Sequence, residues 1–247
     1  MSSAQRADLL LVAQGLCDSR SRAQALIKAG HVFAGDVKVE KPSEIFADDV
    51  VLRLEGQDHP WVSRGGMKLA KALEDFGLDP SGVVAIDVGA STGGFTDVLL
   101  QHGAAKVYAV DVGSNQMVQR LREDPRVVNL ENTNARWLNA QYVPEPADWV
   151  VCDASFIGLE LVLPAALALT KPQALLVALI KPQFEVGKGR VGKNGVVSDP
   201  ALHQEVCDKI TSWINGLEGW KVTGLTDSPI LGPAGNREFL ICARRQG

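Results

Sequence analysis

Two charged residues each follow an apolar stretch of the chain, and together their side chains could perform acid–base chemistry. Asp153 comes directly after residues 149–152, and Lys181 comes directly after residues 175–180. Short apolar stretches of this kind predict buried strands, and the carboxyl ends of parallel strands meet at one edge of a sheet. Withdrawing a lysine from water lowers its pKa and favours the neutral amine, which can act as a base. Asp153 nearby would orient this amine but would oppose the lowering of its pKa. The alternative is a strand-end lysine exposed to solvent.

A glycine-rich segment, residues 87–97, indicates where a ligand could bind beside these two groups. It follows the apolar residues 83–86 and leads into apolar residues of helical spacing over 95–103, which predicts a strand-to-helix turn. Glycines in such a turn let the backbone approach a ligand at the N-terminus of the helix. An ordinary tight turn is the alternative.

Asp111 ends the next apolar stretch, residues 106–111, and narrows the class of ligand. It lies 24 residues beyond Asp87. A carboxylate at the tip of the second strand can accept hydrogen bonds from both hydroxyls of a ribose, which predicts a nucleoside-bearing cofactor. The turn lacks the Gly-x-Gly-x-x-Gly spacing that fits a pyrophosphate. S-adenosylmethionine, which has no phosphate, therefore suits it better than a dinucleotide.

The composition is that of a globular protein with one sizeable domain and a small one, with 247 residues, 46% hydrophobic and 22% charged. No apolar run approaches the ~18 residues of a membrane span, and no early segment resembles a signal peptide, so we expect a cytoplasmic protein without stable membrane association. The cysteines are widely spaced, which favours neither a metal site nor a disulfide framework. The net charge of −4 argues against a wholly basic nucleic-acid binder but allows local basic patches.

The first part of the chain has a pattern of its own. Two short helices are predicted near residues 9–12 and 18–27, and extended segments follow near 31–33, 36–39 and 50–54. The spacing Ser-Arg-x-x-Ala-x-x-Leu-Ile-x-x-Gly-x-Val resembles, over about 50 residues, the small RNA-binding module first known from a ribosomal small-subunit protein. Acidic residues outnumber basic ones here, so the RNA-binding face must be local. We predict phosphate contacts from Arg6, Arg20, Arg22 and Lys28, and the alternative is a solvated helix face.

Beyond Asp111 the predicted strands and helices alternate. Strands are predicted at 127–130, 149–152, 175–180, 220–225 and 239–243, and helices at 116–122, 159–169 and 200–213. Alternation predicts a mostly parallel sheet with ligands at the carboxyl ends of its strands, and a turn at 232–236 predicts an antiparallel final strand. The expected fold class is α/β, a Rossmann-like seven-stranded mixed sheet beside a small α+β N-terminal domain.

Four residues from distant parts of the chain form a recognisable set, namely Lys68, Asp153, Lys181 and Glu238. They resemble the Lys-Asp-Lys-Glu tetrad of the FtsJ-like, heat-shock-type ribose 2′-O-methyltransferases. With its N-terminal module included, the chain resembles the TlyA family of hemolysin-like ribosomal RNA methyltransferases. The matching motifs run in one order along nearly all of the chain, at residues 62–68, 87–97, 110–113, 132–136, 152–156, 180–185 and 236–239.

The resemblance implies S-adenosylmethionine-dependent methylation of a ribose 2′-hydroxyl, with cytidine as the nucleotide and ribosomal RNA or ribosomal subunits as the partner. It implies Lys181 as the general base and Lys68 and Glu238 as groups that position the hydroxyl and the amine. Asp153 would hold Lys181 near the methionine end of the cofactor. Asn134 matches a position beside the adenine. The expected cofactor contacts are Gly89, Ala90, Ser91, Thr92, Gly93, Gly94, Phe95, Asp111, Val112, Asn134 and Asp153.

Polar, proline-containing residues 56–60 mark the change between the two units. We predict an RNA-binding domain over residues 1–60, a linker over 61–64 and a methyltransferase domain over 65–247. Arg64 flanks this boundary, where RNA held by the first domain would cross to the second, and we expect it to bind RNA.

Two further motifs have simpler interpretations. Residues 187–194 approach a phosphate-binding loop, but Asn194 stands where a serine or threonine would hold magnesium. We interpret them as a mobile basic loop whose Lys188 and Arg190 touch RNA phosphates and which could cover the active site. Cys152 could suggest covalent attack on a base, but it ends an apolar strand and is predicted to pack. The following Asp-Ala-Ser-Phe lacks the Asn-Pro-Pro-Tyr-like site of base-amine methylation, which favours an oxygen acceptor.

Two other classes of function stay open at this point. One is a membrane-active hemolysin, although no hydrophobic span or strongly basic amphipathic helix is predicted. The other is a noncatalytic RNA-binding or ribosome assembly factor that retains the fold. The complete tetrad favours the enzyme over this second alternative.

Overall fold

The computed structural model describes residues 4–17, 19–54, 59–187 and 189–247. The N-terminal part combines two helices with two small antiparallel sheets, in agreement with the predicted α+β class. Its elements are β1 (Ala4–Arg6), α1 (Ala7–Ala13), α2 (Arg20–Lys28), β2 (Val32–Ala34), β3 (Val37–Lys38), β4 (Ile45–Ala47) and β5 (Leu52–Leu54). Strands β1 and β4 pair with each other, and β2 lies between β3 and β5. The sequence does not predict β1 or β4, because three residues are too few to show a period of two.

A seven-stranded mixed sheet forms the centre of the remaining chain. Its strands are β6 (Val84–Val88), β7 (Lys106–Val110), β8 (Val127–Leu130), β9 (Ala147–Cys152), β10 (Thr170–Ile180), β11 (Trp220–Asp227) and β12 (Phe239–Arg245). Their order across the sheet is β11-β12-β10-β9-β6-β7-β8. Strand β12 runs antiparallel to both of its neighbours, β10 and β11. The predicted Rossmann-like mixed sheet with an antiparallel final strand is confirmed.

Both faces of this sheet are buried. Along β9, Val150 and Cys152 enter one hydrophobic core, whereas Trp149 and Val151 enter the other, as the period of two in a strand requires. Helix α9 packs into the first core, and helices α3 and α4 pack into the second. The helices of this part are α3 (Gly65–Asp75), α4 (Gly94–Gln101), α5 (Gln119–Arg122), α6 (Leu159–Val162), α7 (Pro164–Leu167), α8 (Pro182–Glu185) and α9 (Pro200–Gly216).

The prediction of one helix over residues 159–169 is wrong. The structure has two four-residue helices, α6 and α7, and residue Thr170 already begins strand β10. Pro164 explains the break, because proline has no N–H for the helical hydrogen bond and its ring clashes with the preceding turn. It is tolerated where it stands, at the first position of α7.

The helix predicted over residues 116–122 begins later, at Gln119. The carboxylate of Glu131 accepts hydrogen bonds from the backbone N–H groups of Asn115, Gln116 and Met117, at 2.9, 2.8 and 3.0 Å. These amides therefore bind a side chain that lies far along the sequence, and the segment is held as a loop.

The strands that carry the predicted site are neighbours in the sheet. Strand β9 lies between β6 and β10, so the residues that follow these three strands meet at one edge. Helix α3 packs beside α4, which brings the residues just before residue 65 to the same edge. Among the described residues, no helix is long and apolar enough to cross a membrane.

Candidate active site

Four charged side chains from distant parts of the chain meet at the carboxyl edge of the sheet. Lys181 Nζ lies 2.7 Å from Asp153 Oδ1, and Lys68 Nζ lies 3.3 Å from Asp153 Oδ2. Lys68 Nζ also lies 2.7 Å from Glu238 Oε2. The structure therefore brings together all four residues of the predicted tetrad, in the order Lys181, Asp153, Lys68, Glu238.

Each member of this network is fixed by a different element. Lys68 projects from α3, Asp153 follows β9, Lys181 follows β10 and Glu238 precedes β12. Three of them are nearly inaccessible, because Lys68 is 7% exposed, Lys181 5% and Glu238 2%. Two cations and two anions balance, as buried charges require. The side chain of Asp153 is the most exposed of the four at 18%.

The glycine-rich turn forms the wall of a cavity of about 420 Å³ beside this network. Gly89 has φ +82°, and a Cβ added there would lie 2.9 Å from the backbone of Ala154. Only glycine fits this conformation at such a close approach. Several predicted cofactor residues line the cavity together with Lys68, Arg64 and Lys181, and they are Gly89, Ala90, Ser91, Thr92, Gly94, Phe95 and Asp153.

Gly93, Val112, Asn134 and Asp111 do not line this cavity. Gly93 is the N-cap of α4, Val112 is 70% exposed, and Asn134 accepts a hydrogen bond from the Arg136 amide at 3.1 Å. Asp111 stands next to the rim, because its Oδ2 accepts a hydrogen bond of 2.8 Å from the amide of Ser91, which does line the cavity. A carboxylate oxygen retains further lone pairs for ligand hydroxyls.

Asp87 lies beneath the turn and is fully buried. Burial raises the pKa of its carboxyl group to about 7, although Thr96 Oγ1 donates a hydrogen bond to Oδ2 at 2.7 Å. Among the described residues, Oδ1 has no hydrogen-bond partner. The close glycine backbone and the carboxylate of Asp111 together fit a nucleoside cofactor with hydroxyl groups.

The predicted RNA-binding arginines of the N-terminal part surround one buried carboxylate. Arg6 Nε and Arg20 Nε lie 2.9 Å from the two oxygens of Asp8, whose side chain is fully buried. Arg6, together with Gln24 and Arg20, holds the pKa of Asp8 well below its usual range. Arg22 is half-buried and Lys28 is exposed on the same helix. Within the part of the chain that the structure describes, Arg20 pairs through Nε, which leaves its terminal nitrogens to face phosphate oxygens.

The predicted basic contacts near the cavity differ in their surroundings. Arg64 is exposed at the rim of the cavity. Arg190 pairs with Glu205 of α9 at 2.5 and 2.6 Å, so its charge is engaged within the protein. Lys188 lies outside the described residues. Asn236 bonds the amide of Val197 and the carbonyl of Gly195 at 3.0 Å each, which ties the loop interpreted as mobile to the residues before β12.

Ser155 of the Asp-Ala-Ser-Phe segment reaches the site, and its neighbour Phe156 is exposed beside it; neither was assigned a role from the sequence. Ser155 Oγ accepts a hydrogen bond of 2.8 Å from Lys181 Nζ and lines the cavity. Phe156 is 90% exposed and has φ +65°, an uncommon conformation for a bulky residue.

Cys152, by contrast, is a packing residue, as predicted. Its side chain is completely buried at the end of β9, and burial raises the pKa of the thiol to about 12. A thiol in this state has almost no thiolate, which is the nucleophilic form.

A Rossmann-like sheet with a glycine-rich turn and a Lys-Asp-Lys-Glu network at one edge defines a methyltransferase. Residues 61–245 match the family model described as FtsJ-like methyltransferase, and residues 5–51 match the S4 domain. The chain belongs to the FtsJ-like methyltransferase family, and within it to the TlyA-like rRNA methyltransferases that carry an N-terminal S4 domain. The cofactor of this family is S-adenosylmethionine.

Relatives match the chain over nearly its whole length. It is 45% identical over 247 residues to the 16S/23S rRNA (cytidine-2′-O)-methyltransferase TlyA of Mycobacterium tuberculosis, covering 100% of this chain and 92% of the relative. It is 31% identical over 253 residues to the 23S rRNA (cytidine-2′-O)-methyltransferase TlyA of Campylobacter jejuni, covering 92% and 95%. A solved structure named "Putative hemolysin", from Streptococcus thermophilus, is 41% identical and covers 100% of this chain and 90% of that chain, with a TM-score of 0.77.

Proposed function

We propose that the protein methylates the 2′-hydroxyl of a cytidine ribose in ribosomal RNA, with Lys181 as the general base. The observation that carries this proposal is the buried network of Lys181, Asp153, Lys68 and Glu238 beside the cavity formed by the glycine-rich turn. A ribose hydroxyl is a weak nucleophile at neutral pH, so its proton must leave as the oxygen attacks. Lys181 and Lys68 are the residues of this network whose neutral forms accept a proton, and we assign the role of base to Lys181, which has one carboxylate partner where Lys68 has two.

The remaining residues of the network hold Lys181 and the substrate in place. Asp153 fixes the amine of Lys181 with its carboxylate at 2.7 Å, and the ion pair between Lys68 and Glu238 fixes the other side of Asp153. S-adenosylmethionine, when bound, supplies an electrophilic methyl group on a sulfonium. We assign Gly89, Asp111 and the other residues named above to hold it, with Asn134 beside the adenine. Alignment of the hydroxyl with that methyl group accelerates the reaction further.

The N-terminal part would capture the RNA and deliver it to this edge. We assign the domains as predicted from the sequence, with RNA binding by residues 1–60, a linker over 61–64 and catalysis by 65–247. Arg20 and Arg6 present guanidinium groups oriented by Asp8, and Arg64 stands between the two parts of the chain at the cavity rim. The exposed ring of Phe156 offers a stacking surface for an unpaired base next to the target ribose.

The names of the relatives pose the question of which subunit is modified, because one names both 16S and 23S rRNA and the other names 23S rRNA alone. Purified small and large ribosomal subunits would each be incubated with the protein and methyl-labelled cofactor. We expect label in 2′-O-methylcytidine when the RNA is digested and its nucleosides are separated by mass spectrometry. Label in a methylated base would contradict the ribose assignment, and no label in either subunit would favour a noncatalytic RNA-binding factor.

A further inference from the structure

The amine of Lys181 has two hydrogen-bond acceptors and one ion-pair partner within the protein. Nζ lies 2.7 Å from Asp153 Oδ1, 3.0 Å from the Asp153 carbonyl oxygen and 2.8 Å from Ser155 Oγ. An ammonium group has three protons, and these three oxygens are its nearest polar partners. The side chain of Lys181 is only 6% exposed. Although Lys181 lines the cavity, a ribose there would meet a nitrogen that these three oxygens already surround.

Ser155 is the one partner among these three that can reverse its hydrogen bond. A carboxylate or carbonyl oxygen only accepts, whereas a hydroxyl both donates and accepts. When Lys181 is neutral, its two N–H bonds can stay on Asp153 while its lone pair faces Ser155 Oγ. The hydroxyl then donates to the lysine, and its oxygen can accept from a second hydroxyl. Ser155 is itself exposed and lines the cavity, so a substrate can reach it.

We propose that Ser155 is a catalytic residue that relays the proton of the ribose 2′-hydroxyl to Lys181. The proposal rests on the proposed function, in which Lys181 is the base, and it adds the group that meets the substrate. Lys181 and the ribose need not touch, because the serine oxygen bridges the buried amine and the cavity. This explains how a lysine with so little exposed surface can serve as the base.

The relay balances in atoms and charge. The ribose O–H bond breaks and its proton bonds to Ser155 Oγ, while the proton of Ser155 bonds to the lone pair of Lys181 Nζ. The ribose oxygen keeps the electron pair and forms the new bond to the methyl carbon. The bond from that carbon to sulfur breaks, and both electrons go to sulfur. One positive charge disappears at the sulfonium and one appears on Lys181.

Single-turnover methyl transfer to ribosomal subunits tests the relay. For Ser155→Ala we expect the rate to fall about 100-fold, within the range of general acid–base effects. Ser155→Thr keeps a hydroxyl and should recover most of the rate. Ser212→Ala, a matched exposed serine on α9, should equal the wild type. Calorimetry with S-adenosylmethionine should give an unchanged dissociation constant for each variant, which also verifies that the cofactor site is folded.

Two outcomes would overturn the relay, namely a Ser155→Ala rate close to the wild type or a Ser155→Thr rate no better than that of Ser155→Ala. Rates measured in mixtures of H₂O and D₂O report how many protons move in the rate-limiting step. A serine that only positioned Lys181 would not change this number. Two protons in flight give a curved dependence on the deuterium fraction in the wild type, and one proton gives a straight line in Ser155→Ala. A straight line in the wild type contradicts the relay.

A parallel measurement on Lys181→Ala separates this proposal from the proposed function. If Lys181→Ala is inactive and Ser155→Ala is normal, only the relay fails. If Lys181→Ala retains its rate, the assignment of Lys181 as the base fails, and the relay fails with it.

Discussion

Lys181 and Lys68 share one carboxylate, Asp153, yet their surroundings give them different tasks. Lys68 has a second anionic partner in Glu238 at 2.7 Å and so lies between two carboxylates. Lys181 has a carbonyl and a hydroxyl as its other partners. Neutralising Lys181 therefore breaks one ion pair, whereas neutralising Lys68 breaks two. This asymmetry supports the proposal that Lys181, rather than Lys68, is the base.

Replacing Lys181 by alanine is the direct test of this assignment. We expect Lys181→Ala to lower the rate of methyl transfer by at least ~100-fold, because the general base is removed. Cofactor affinity should stay nearly intact, since the glycine-rich turn is unaffected. The rate is measured with labelled cofactor and ribosomal subunits, and the affinity is measured by calorimetry.

Lys171→Ala is the matched control, because Lys171 lies on β10, the strand that Lys181 follows, and its ammonium pairs with Asp148 rather than with the tetrad. It should keep the wild-type rate. Near-normal turnover of Lys181→Ala would remove this residue as the base.

Asp87 makes stability depend on pH in an unusual direction. Burial raises its pKa to about 7 in the folded protein, above the ordinary value of 3.8. Between these two values the folded state holds a proton that the unfolded chain has released, so this group lowers stability as pH rises through the window. Within this pH window, titration of Asp87 lowers the free energy of unfolding by up to ~1.4 kcal/mol for each pH unit.

Asp87→Asn should remove that slope, because an amide does not titrate. We expect the variant to gain stability relative to the wild type on going from about pH 5 to about pH 8. Urea denaturation of both proteins at the two pH values gives the difference in free energy of unfolding between the variant and the wild type. An equal difference at both values would show that Asp87 titrates normally. Comparing two proteins cancels the histidines and other groups that titrate in the same range.

At the scale of elements, the turn between β6 and α4 requires a glycine at residue 89 for two reasons. Its backbone is left-handed, and it passes very close to the backbone of another segment. Gly89 has φ +82° and would place a Cβ 2.9 Å from the backbone of Ala154. Gly77 also has a positive φ, +58°, but a Cβ there would meet nothing within 4 Å. The two glycines therefore share the conformational requirement and differ in the close contact.

Gly77→Ala should cost about 1–2 kcal/mol of unfolding free energy, the usual penalty for a left-handed conformation. Gly89→Ala should cost clearly more and should also weaken cofactor binding at least ~10-fold, because β6 must move away from the residue after Asp153. Urea denaturation and calorimetry measure the two effects. Equal losses of stability in both variants would show that the contact with Ala154 relaxes without cost.

The elements that the sequence predicts well are those whose signal is local. The strands that end near Asp111, Asp153 and Lys181 are each marked by a run of apolar residues and a charged residue at its end. Their parallel arrangement follows from their alternation with helices along the chain. The predictions of element boundaries fail where a side chain from a distant part of the sequence determines the local structure. Glu131 holds the residues before α5 in a loop from a position beyond that helix, and no local pattern shows it.

The same limit applies to the site. Its four charged members could be named from their positions at strand and helix ends and from the resemblance to known tetrads. Their partners could not, because the bond between Ser155 and Lys181 joins residues 26 positions apart. The pairing of Arg190 with Glu205 is likewise invisible in the sequence, and it gives a residue predicted to contact phosphates an ion-pair partner on the protein surface. Polar contacts depend on side-chain geometry that composition and periodicity do not encode.

At the scale of the whole molecule, the two parts of the chain handle charge differently. The catalytic part buries its charges in a balanced network. The N-terminal part uses one buried carboxylate, Asp8, to hold Arg6 and Arg20 at the surface, where their side chains are 35% and 53% exposed. A protein with a net charge of −4 can bind a polyanion only if such local groups are held in position. RNA capture and catalysis should therefore be separable by mutation.

Replacing Arg20, Arg22 and Lys28 together by alanine in the full-length protein tests this separation. We expect affinity for ribosomal RNA to fall at least ~10-fold at low salt. The plot of log K against log salt should become shallower by about 0.7–0.9 for each phosphate that these side chains no longer neutralise. Cofactor affinity should be unchanged, because none of the three residues lines the cavity beside the tetrad.

Lys221→Ala, which removes an exposed charge from β11, is the control for a general effect of charge on RNA binding. It should leave both the affinity for RNA and its salt dependence close to those of the wild type. Deletion of residues 1–60, like the triple substitution, should weaken RNA capture much more than cofactor binding. Equal loss of both would mean that the two parts fold as one unit and that RNA and cofactor binding cannot be assigned to separate domains.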